Sequence, residues 1–269
     1  MFIYTFYKIY PFQGHKTAIN TVNLKIRRFL TVSMKIFVGT SGWNYSWNNE
    51  NTLDWYVKNT GFNAIELNYS FYKFPTAKSI ISWETLANGI SWSVKMNRIV
   101  THRLRLNENS YKYIKDFLAI FRKSKLILDN VLFQLPPSMD IQSLDRIVKI
   151  ARLFDKNKIV FEARNASFFN EEVYKLLRRE GITLASIDSP IGNFYVKTTD
   201  KVYLRMHGRK NWYNYRYSRK QLVNVFESVK KLKPKLLYIF FNNTSMFYNA
   251  KMFIDIINEK HGNILRNKQ

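Results

Sequence analysis

Four residues able to move protons, Glu66, Lys95, Glu162 and Asp188, each stand at the end of a short run of β-branched and aromatic residues. Carboxylates at such positions offer general acid/base chemistry. A lysine offers a base, an electrostatic stabiliser or an amine that condenses with a carbonyl. Cations accompany them: Arg164 and Arg205, with His207, lie at the same level, and arginine forks match carboxylate and phosphate oxygens. Thr40, Asn68, His102, Gln134, Tyr215 and Asn242 complete a set that can orient a polar substrate by hydrogen bonds. Glu66, Glu162, Asp188 and His207 also form an oxygen-rich donor set of the kind that suits Mg or Mn. Against that, Lys95, Arg164 and Arg205 already neutralise those carboxylates, so neither a metal nor a cofactor is expected. A Ser/His/Asp triad is not indicated, because no GxSxG elbow is present.

These residues need a frame that brings strand ends together. From Lys35 onward, strands are predicted at Lys35–Val38, Asn63–Leu67, Ser91–Met96, Val131–Gln134, Lys158–Glu162, Thr183–Ile187, Val202–Met206 and Leu236–Phe241. Amphipathic stretches alternate with them: Tyr111, Ile114, Phe117, Leu118 and Phe121 form one helical stripe, Val173, Leu176 and Leu177 a second, Leu222, Val223, Phe226, Val229 and Leu232 a third. Gly181 and Pro234 stop the second and third. Strands alternating with helices imply βα units and a parallel sheet, and eight such strands can close a (β/α)8 TIM-type barrel. The stretch Ser189–Asp200 carries no clear helical stripe, so one helix is expected to be missing or irregular between the sixth and seventh strands. An open doubly wound sheet would normally carry a glycine-rich phosphate loop after its first strand. Gly39-Thr40-Ser41-Gly42-Trp43 matches neither that fingerprint nor a P-loop. In barrels of this kind the active site lies at the C-terminal strand ends, and the loops after the seventh and eighth strands often hold phosphate. Here those loops read His207-Gly208-Arg209-Lys210-Asn211 and Asn242-Asn243-Thr244.

The chain of 269 residues has a formal charge of +24, with 43 Lys and Arg against 19 Asp and Glu. That excess favours anionic partners, and Arg98, His102 and Arg103 add to the cations beyond the third strand. Two functions of different class follow. One is an enzyme acting by acid/base chemistry on an anionic, phosphorylated or sugar-containing small molecule. The other is a nucleic-acid-binding protein using a basic surface and mouth aromatics such as Tyr45, Trp212, Tyr213, Tyr215 and Tyr217. Phe71 and Tyr72 read as lid packing rather than as ligand contacts. The chain contains no cysteine, which excludes disulfides and a thiolate nucleophile. No window offers the roughly 18 uninterrupted apolar residues of a membrane span. Residues 1–33 contain five Lys and Arg, no Asp or Glu and no secretory signal pattern. They are expected to be an extension preceding a single domain over 34–269, with Met34 as a natural start and the cytoplasm as the expected compartment.

Six blocks stand in a characteristic order: Gly39-Thr40-Ser41-Gly42-Trp43, Glu66-Leu67-Asn68-Tyr69-Ser70-Phe71-Tyr72, Gln134-Leu135-Pro136-Pro137-Ser138, Phe161-Glu162-Ala163-Arg164, Leu204-Arg205-Met206-His207-Gly208 and Phe241-Asn242-Asn243. With Lys95 and Thr101-His102, this pattern resembles the DUF72, or YecE-like, family. The resemblance covers Met34 to the last helix. It implies a TIM-type barrel and a start near Met34, and it supplies no reaction.

Overall fold

The structure is a computed structural model that describes residues 34–122 and 124–261. The expectations for residues 1–33 therefore lie outside the described residues. The strands are β1 (Lys35–Thr40), β2 (Ala64–Leu67), β3 (Ser91–Lys95), β4 (Ile127–Gln134), β5 (Ile159–Glu162), β6 (Thr183–Leu184), β7 (Ser186–Ser189), β8 (Gly192–Phe194), β9 (Lys201–Met206) and β10 (Leu236–Phe241). The helices are α1 (Leu53–Asn59), α2 (Ala77–Leu86), α3 (Ser110–Arg122), α4 (Leu144–Leu153), α5 (Glu171–Glu180), α6 (Arg219–Lys231) and α7 (Met246–His261). Each of the eight predicted strands is present, the sixth divided into β6 and β7 around Ala185. The three apolar stripes fall on α3, α5 and α6, and Gly181 closes α5 in the left-handed conformation a glycine permits. As expected, no helix joins the sixth and seventh strands. In its place β8 folds back antiparallel on β7.

The strands form two five-stranded sheets, in the orders β1-β10-β9-β7-β8 and β2-β3-β4-β5-β6, parallel throughout except for β8. This is the expected α/β class. No continuous backbone ladder closes the two sheets into a barrel among the described residues. They meet in two ways. On one side a single extended run changes sheets: Leu184 pairs with β5, Ser186 pairs with β9, and Ala185 donates its N–H to Phe161 O. On the other side, side chains stand where β1 and β2 would exchange ladder bonds. Asn63 donates to Ile36 O at 2.9 Å and accepts from Val38 N at 2.8 Å. The Tyr56 hydroxyl on α1 donates to Ala64 O at 2.8 Å and accepts from Thr40 N at 3.3 Å.

Strand alternation then sorts the side chains, because successive residues point to opposite faces. One face supplies Ile36, Val38, Ile65, Val131, Phe161 and Leu204 to a large core shared with the helices. The opposite faces of both sheets meet in an inner cluster of Ala64, Leu132, Val160, Ala185, Tyr203, Tyr238 and Phe240. Two residues further along, the same inner face presents Glu66 on β2, Glu162 on β5, Arg205 on β9 and Asn242 beyond β10. The inner cluster is thus the apolar floor on which the polar strand ends stand.

The β1–β2 seam depends on Gly39. A Cβ there would lie 2.1 Å from Ala64 O and 2.6 Å from its carbonyl carbon, both backbone atoms that cannot swing aside. Gly39→Ala is expected to cost more than the roughly 1–3 kcal/mol of ordinary overpacking. A fall in the chemical denaturation midpoint would show it, and an unchanged midpoint would mean that β1 and β2 can move apart freely.

Candidate active site

Arg205 is the centre of the polar layer. Its side chain is fully buried, and it bridges two buried carboxylates. Toward Glu66 it is bidentate, with Nε 2.9 Å from Oε2 and Nη2 2.6 Å from Oε1. Its Nη1 donates to Glu162 Oε2. Glu66 also accepts from Ser41 Oγ at 2.8 Å and from the Tyr203 hydroxyl at 2.7 Å, and the Tyr203 hydroxyl in turn pairs with Ser93 Oγ at 2.6 Å. Glu162 Oε1 lies 2.5 Å from Arg164 Nε and 3.1 Å from His207 Nε2. The Arg164 guanidinium is stacked 4.3 Å from the centroid of the Trp212 ring.

Burial and charge together fix the protonation of this layer. Burial alone would push the Glu162 carboxyl up, but Arg164, Arg205 and His207 outweigh it and hold the group well below the usual carboxylate range. Burial pushes His207 down to about 3, reinforced by Arg164 and opposed by Glu162. His207 is therefore neutral at physiological pH. Its Nε2 lies 3.1 Å from Glu162 Oε1 and 3.2 Å from Arg164 Nη2, so the neutral ring either donates to the carboxylate or accepts from the guanidinium, and its buried Nδ1 has no hydrogen-bond partner among the described residues.

Lys95, at the end of β3, differs from every other cation of the layer. Its amine has neither a hydrogen bond nor an ion pair with any described residue, and Nζ sits over the Phe71 ring at 4.0 Å from the centroid. Burial first, then the neighbouring Arg205, push its ammonium down to about 7, against the opposing pull of Glu162 and Glu66. Lys95 lines a cavity of about 560 Å3 together with Asn68, Asn242, Tyr45, Tyr72 and Tyr213. These come from the loop after β1, the ends of β2, β3 and β10, and the loop after β9, so the cavity opens at the C-terminal ends of the strands.

The structure separates the predicted residues into groups. Glu66, Glu162, Arg164, Arg205 and His207 form the ion-pair layer, while Asn68, Lys95 and Asn242 face the cavity. Asp188 joins neither. Its carboxylate accepts from Arg209 Nη2 at 2.7 Å, the Tyr195 hydroxyl at 2.5 Å and the Tyr217 hydroxyl at 2.9 Å. It ties down the loop after β9 and has no free lone pair aimed at the cavity. Arithmetic along the strand explains this: Ala185 belongs to the inner cluster, and an odd step of three residues turns Asp188 to the other face. Thr40 bonds locally to Gly42 O at 2.7 Å, and the Gln134 amide donates to Leu135 O at 2.9 Å. The Tyr215 hydroxyl accepts from Gln221 at 2.7 Å beside α6, so Tyr213 rather than Tyr215 reaches the cavity. His102 lies beyond Phe71, ring to ring at 5.0 Å. Phe71 and Tyr72 pack edge to face at 5.1 Å, as expected of lid aromatics; Phe71 also carries the Lys95 amine, and Tyr72 is 69% exposed at the cavity. Among the described residues no group of three His, Asp or Glu is placed to hold a metal ion. Arg205 occupies the space between Glu66 and Glu162 that a shared cation would need.

A family model described as "Protein of unknown function DUF72" matches residues 37–269. No curated protein matches the chain. Among solved structures, a DUF72 family protein from Thermotoga maritima is 28% identical with a TM-score of 0.69, the match covering 83% of this chain and 99% of that one. A DUF72 family protein from Enterococcus faecalis is 20% identical with a TM-score of 0.71, covering 83% and 95%. No described helix is long and apolar enough to cross a membrane.

Proposed function

Because the chain belongs to the DUF72 family, whose description states no reaction, the chemistry has to be read from the site, and we propose that the protein is an enzyme moving a proton on an anionic, phosphorylated or sugar-containing small molecule at the strand-end cavity. Lys95 is the group that moves the proton. The observation carrying this reading is an amine in a cavity wall that no carboxylate pairs and that an aromatic ring holds in place. A base of this kind works best when its pKa lies near the operating pH. Glu66, Glu162, Arg164 and Arg205 offset one another in charge, so the cavity keeps the positive bias of Lys95 and favours an anion. Asn68 and Asn242 orient it. In this reading the two sheets act as halves of one (β/α)8-type barrel, supported by their common inner cluster and the side-chain seam at β1–β2.

Hydrogen exchange tests the reading without a known substrate. Phosphorylated sugars and keto acids incubated in D2O with the protein are followed by proton NMR at the carbon next to the carbonyl. Exchange with at least one compound, lost on Lys95→Met, is expected. Absence of exchange across the panel, or exchange that Lys95→Met leaves intact, overturns it. Exposed Tyr45, Tyr72 and Tyr213 around the cavity favour a second reading, single-stranded nucleic acid stacked on these rings. Oligonucleotide affinity that falls steeply with salt and survives Lys95→Met would support that one instead.

A further inference from the structure

Beyond Phe71 lies a second cavity, of about 440 Å3, lined by Tyr72, Asn97, Arg98, Ile99, His102 and Arg103. It shares the Tyr72 side chain with the Lys95 cavity. We propose that this second cavity is a subsite for a phosphate-class oxyanion, holding the remote end of the substrate whose reacting end meets Lys95. The proposal rests on the reading of Lys95 given above and adds the substrate class: a molecule with a phosphoryl group at the end away from the reacting centre.

Charge is the first argument. Neither Arg98 nor Arg103 has an ion pair with a described residue, and no Asp or Glu lines the cavity. Two guanidinium groups without counterions around a concave space are an arrangement that a dianion completes. Elsewhere at the mouth the arginines are already engaged: Arg209 by Asp188, and Arg164 and Arg205 by Glu162. In the loop after β9, the expected phosphate site, Arg209 is thus spent on anchoring the loop, and Arg216 lies over the Tyr248 ring.

Donor chemistry is the second. His102 Nδ1 lies 2.9 Å from the hydroxyl of buried Thr101. When that hydroxyl donates, Nε2 carries the ring proton and is a hydrogen-bond donor. Burial, with Lys95, Arg164 and Arg98, pushes His102 down to about 4, so it is a neutral donor at physiological pH.

The backbone is the third. Ile99–Arg103 forms a single π-helical turn, a rare form frequently found at functional sites. Asn97 fixes its start, accepting from Ile99 N at 3.0 Å and donating to Ser70 O at 3.0 Å. Arg105 and Leu106 follow with φ of 49° and 60°, left-handed values that cost non-glycine residues energy. The left-handed pair follows directly on the turn, and Arg98, His102 and Arg103, before and within the turn, line one cavity.

Binding of inorganic phosphate at low ionic strength, followed by titration calorimetry, tests the proposal. Arg98→Ala/Arg103→Ala is expected to weaken the Kd by about tenfold or more, the scale of losing a charge-assisted hydrogen bond, while Lys95→Met changes it far less. Both arginines are exposed, and near-UV circular dichroism checks that the double variant stays folded. No saturable binding to the wild type, or equal binding by the double variant, overturns the subsite. Binding lost in Lys95→Met but kept in the double variant also overturns it, and leaves the Lys95 reading standing. If phosphate binding behaves as expected but no compound exchanges hydrogen, it is the catalytic reading that fails.

Discussion

Arg205→Leu is expected to cost about 3–5 kcal/mol of folding stability at neutral pH, the scale of stranding a buried charge by removing its partner. The substitution leaves Glu66 facing only two hydroxyl donors and Glu162 relying on Arg164 and neutral His207, all in a layer that solvent does not reach. Urea or guanidinium denaturation reads the loss as a lower midpoint at unchanged slope. Two controls give the prediction its meaning. In Glu66→Gln/Arg205→Met the Glu66–Arg205 pair is removed as a unit while Glu162 keeps its pair with Arg164, and much of the loss should return. Acidification should narrow the gap between wild type and Arg205→Leu, since protonating a stranded carboxylate removes its charge. The sign for the wild type runs the other way. Glu162 is held well below its ordinary value, so it contributes stability that is present above the ordinary carboxylate range and lost as pH falls through its depressed value. A variant as stable as the wild type at neutral pH would mean that the ion-pair layer is open to water and holds nothing together.

The frame of this layer could be read from the chain because period and punctuation are local properties. Apolar runs such as Leu236–Phe241 have few alternatives to a buried parallel strand. Alternation within β9 places Tyr203 and Arg205 on one face, but that Tyr203 meets Glu66 is a contact between the two sheets that no motif marks. Ser41 is a similar case: it stands beside Thr40 in the first block, and only the close approach of β1 to β2 shows which of the two meets the carboxylate. Asp188 was misleading for a physical reason. Its place at a strand end is real, but alternation from inward-facing Ala185 turns it to the other face, and only the folded chain shows that Ala185 belongs to the inner cluster. The same holds for cations. Sequence counts Arg209 and Arg98 alike, whereas folding gives Arg209 the Asp188 carboxylate and leaves Arg98 without one. Which charges remain available is decided by distances between residues far apart in the chain, and that decides where an anion can sit.

Lys95 carries the second large effect, and here function and stability should move in opposite directions. An amine whose pKa is pushed down to about 7 in the folded protein, against 10.5 as its ordinary value, binds its proton more weakly folded than unfolded. Below about pH 7 both states are protonated and the folded state bears the whole cost of a poorly solvated ammonium. As pH rises from about 7 toward 10.5 the folded state sheds the proton first, so this cost is progressively relieved and stability rises. Lys95→Met removes the cost altogether and keeps an apolar stem against Phe71. It is expected to stabilise the protein at pH 6 by about 2 kcal/mol, a figure reduced from the full shift because the side chain is only partly buried, or about 2–4 °C in Tm per kcal/mol for a chain of this size. The gain should shrink steadily toward pH 10 while hydrogen exchange stays abolished throughout. Lys95→Arg separates the two roles: it retains a charge that never leaves at these pH values, so it should restore neither the exchange nor the pH-dependent stability. A Lys95→Met protein that is less stable than the wild type at pH 6 would mean that the ammonium is well solvated or paired, and an amine in that state is too firmly protonated to act as the base at neutral pH.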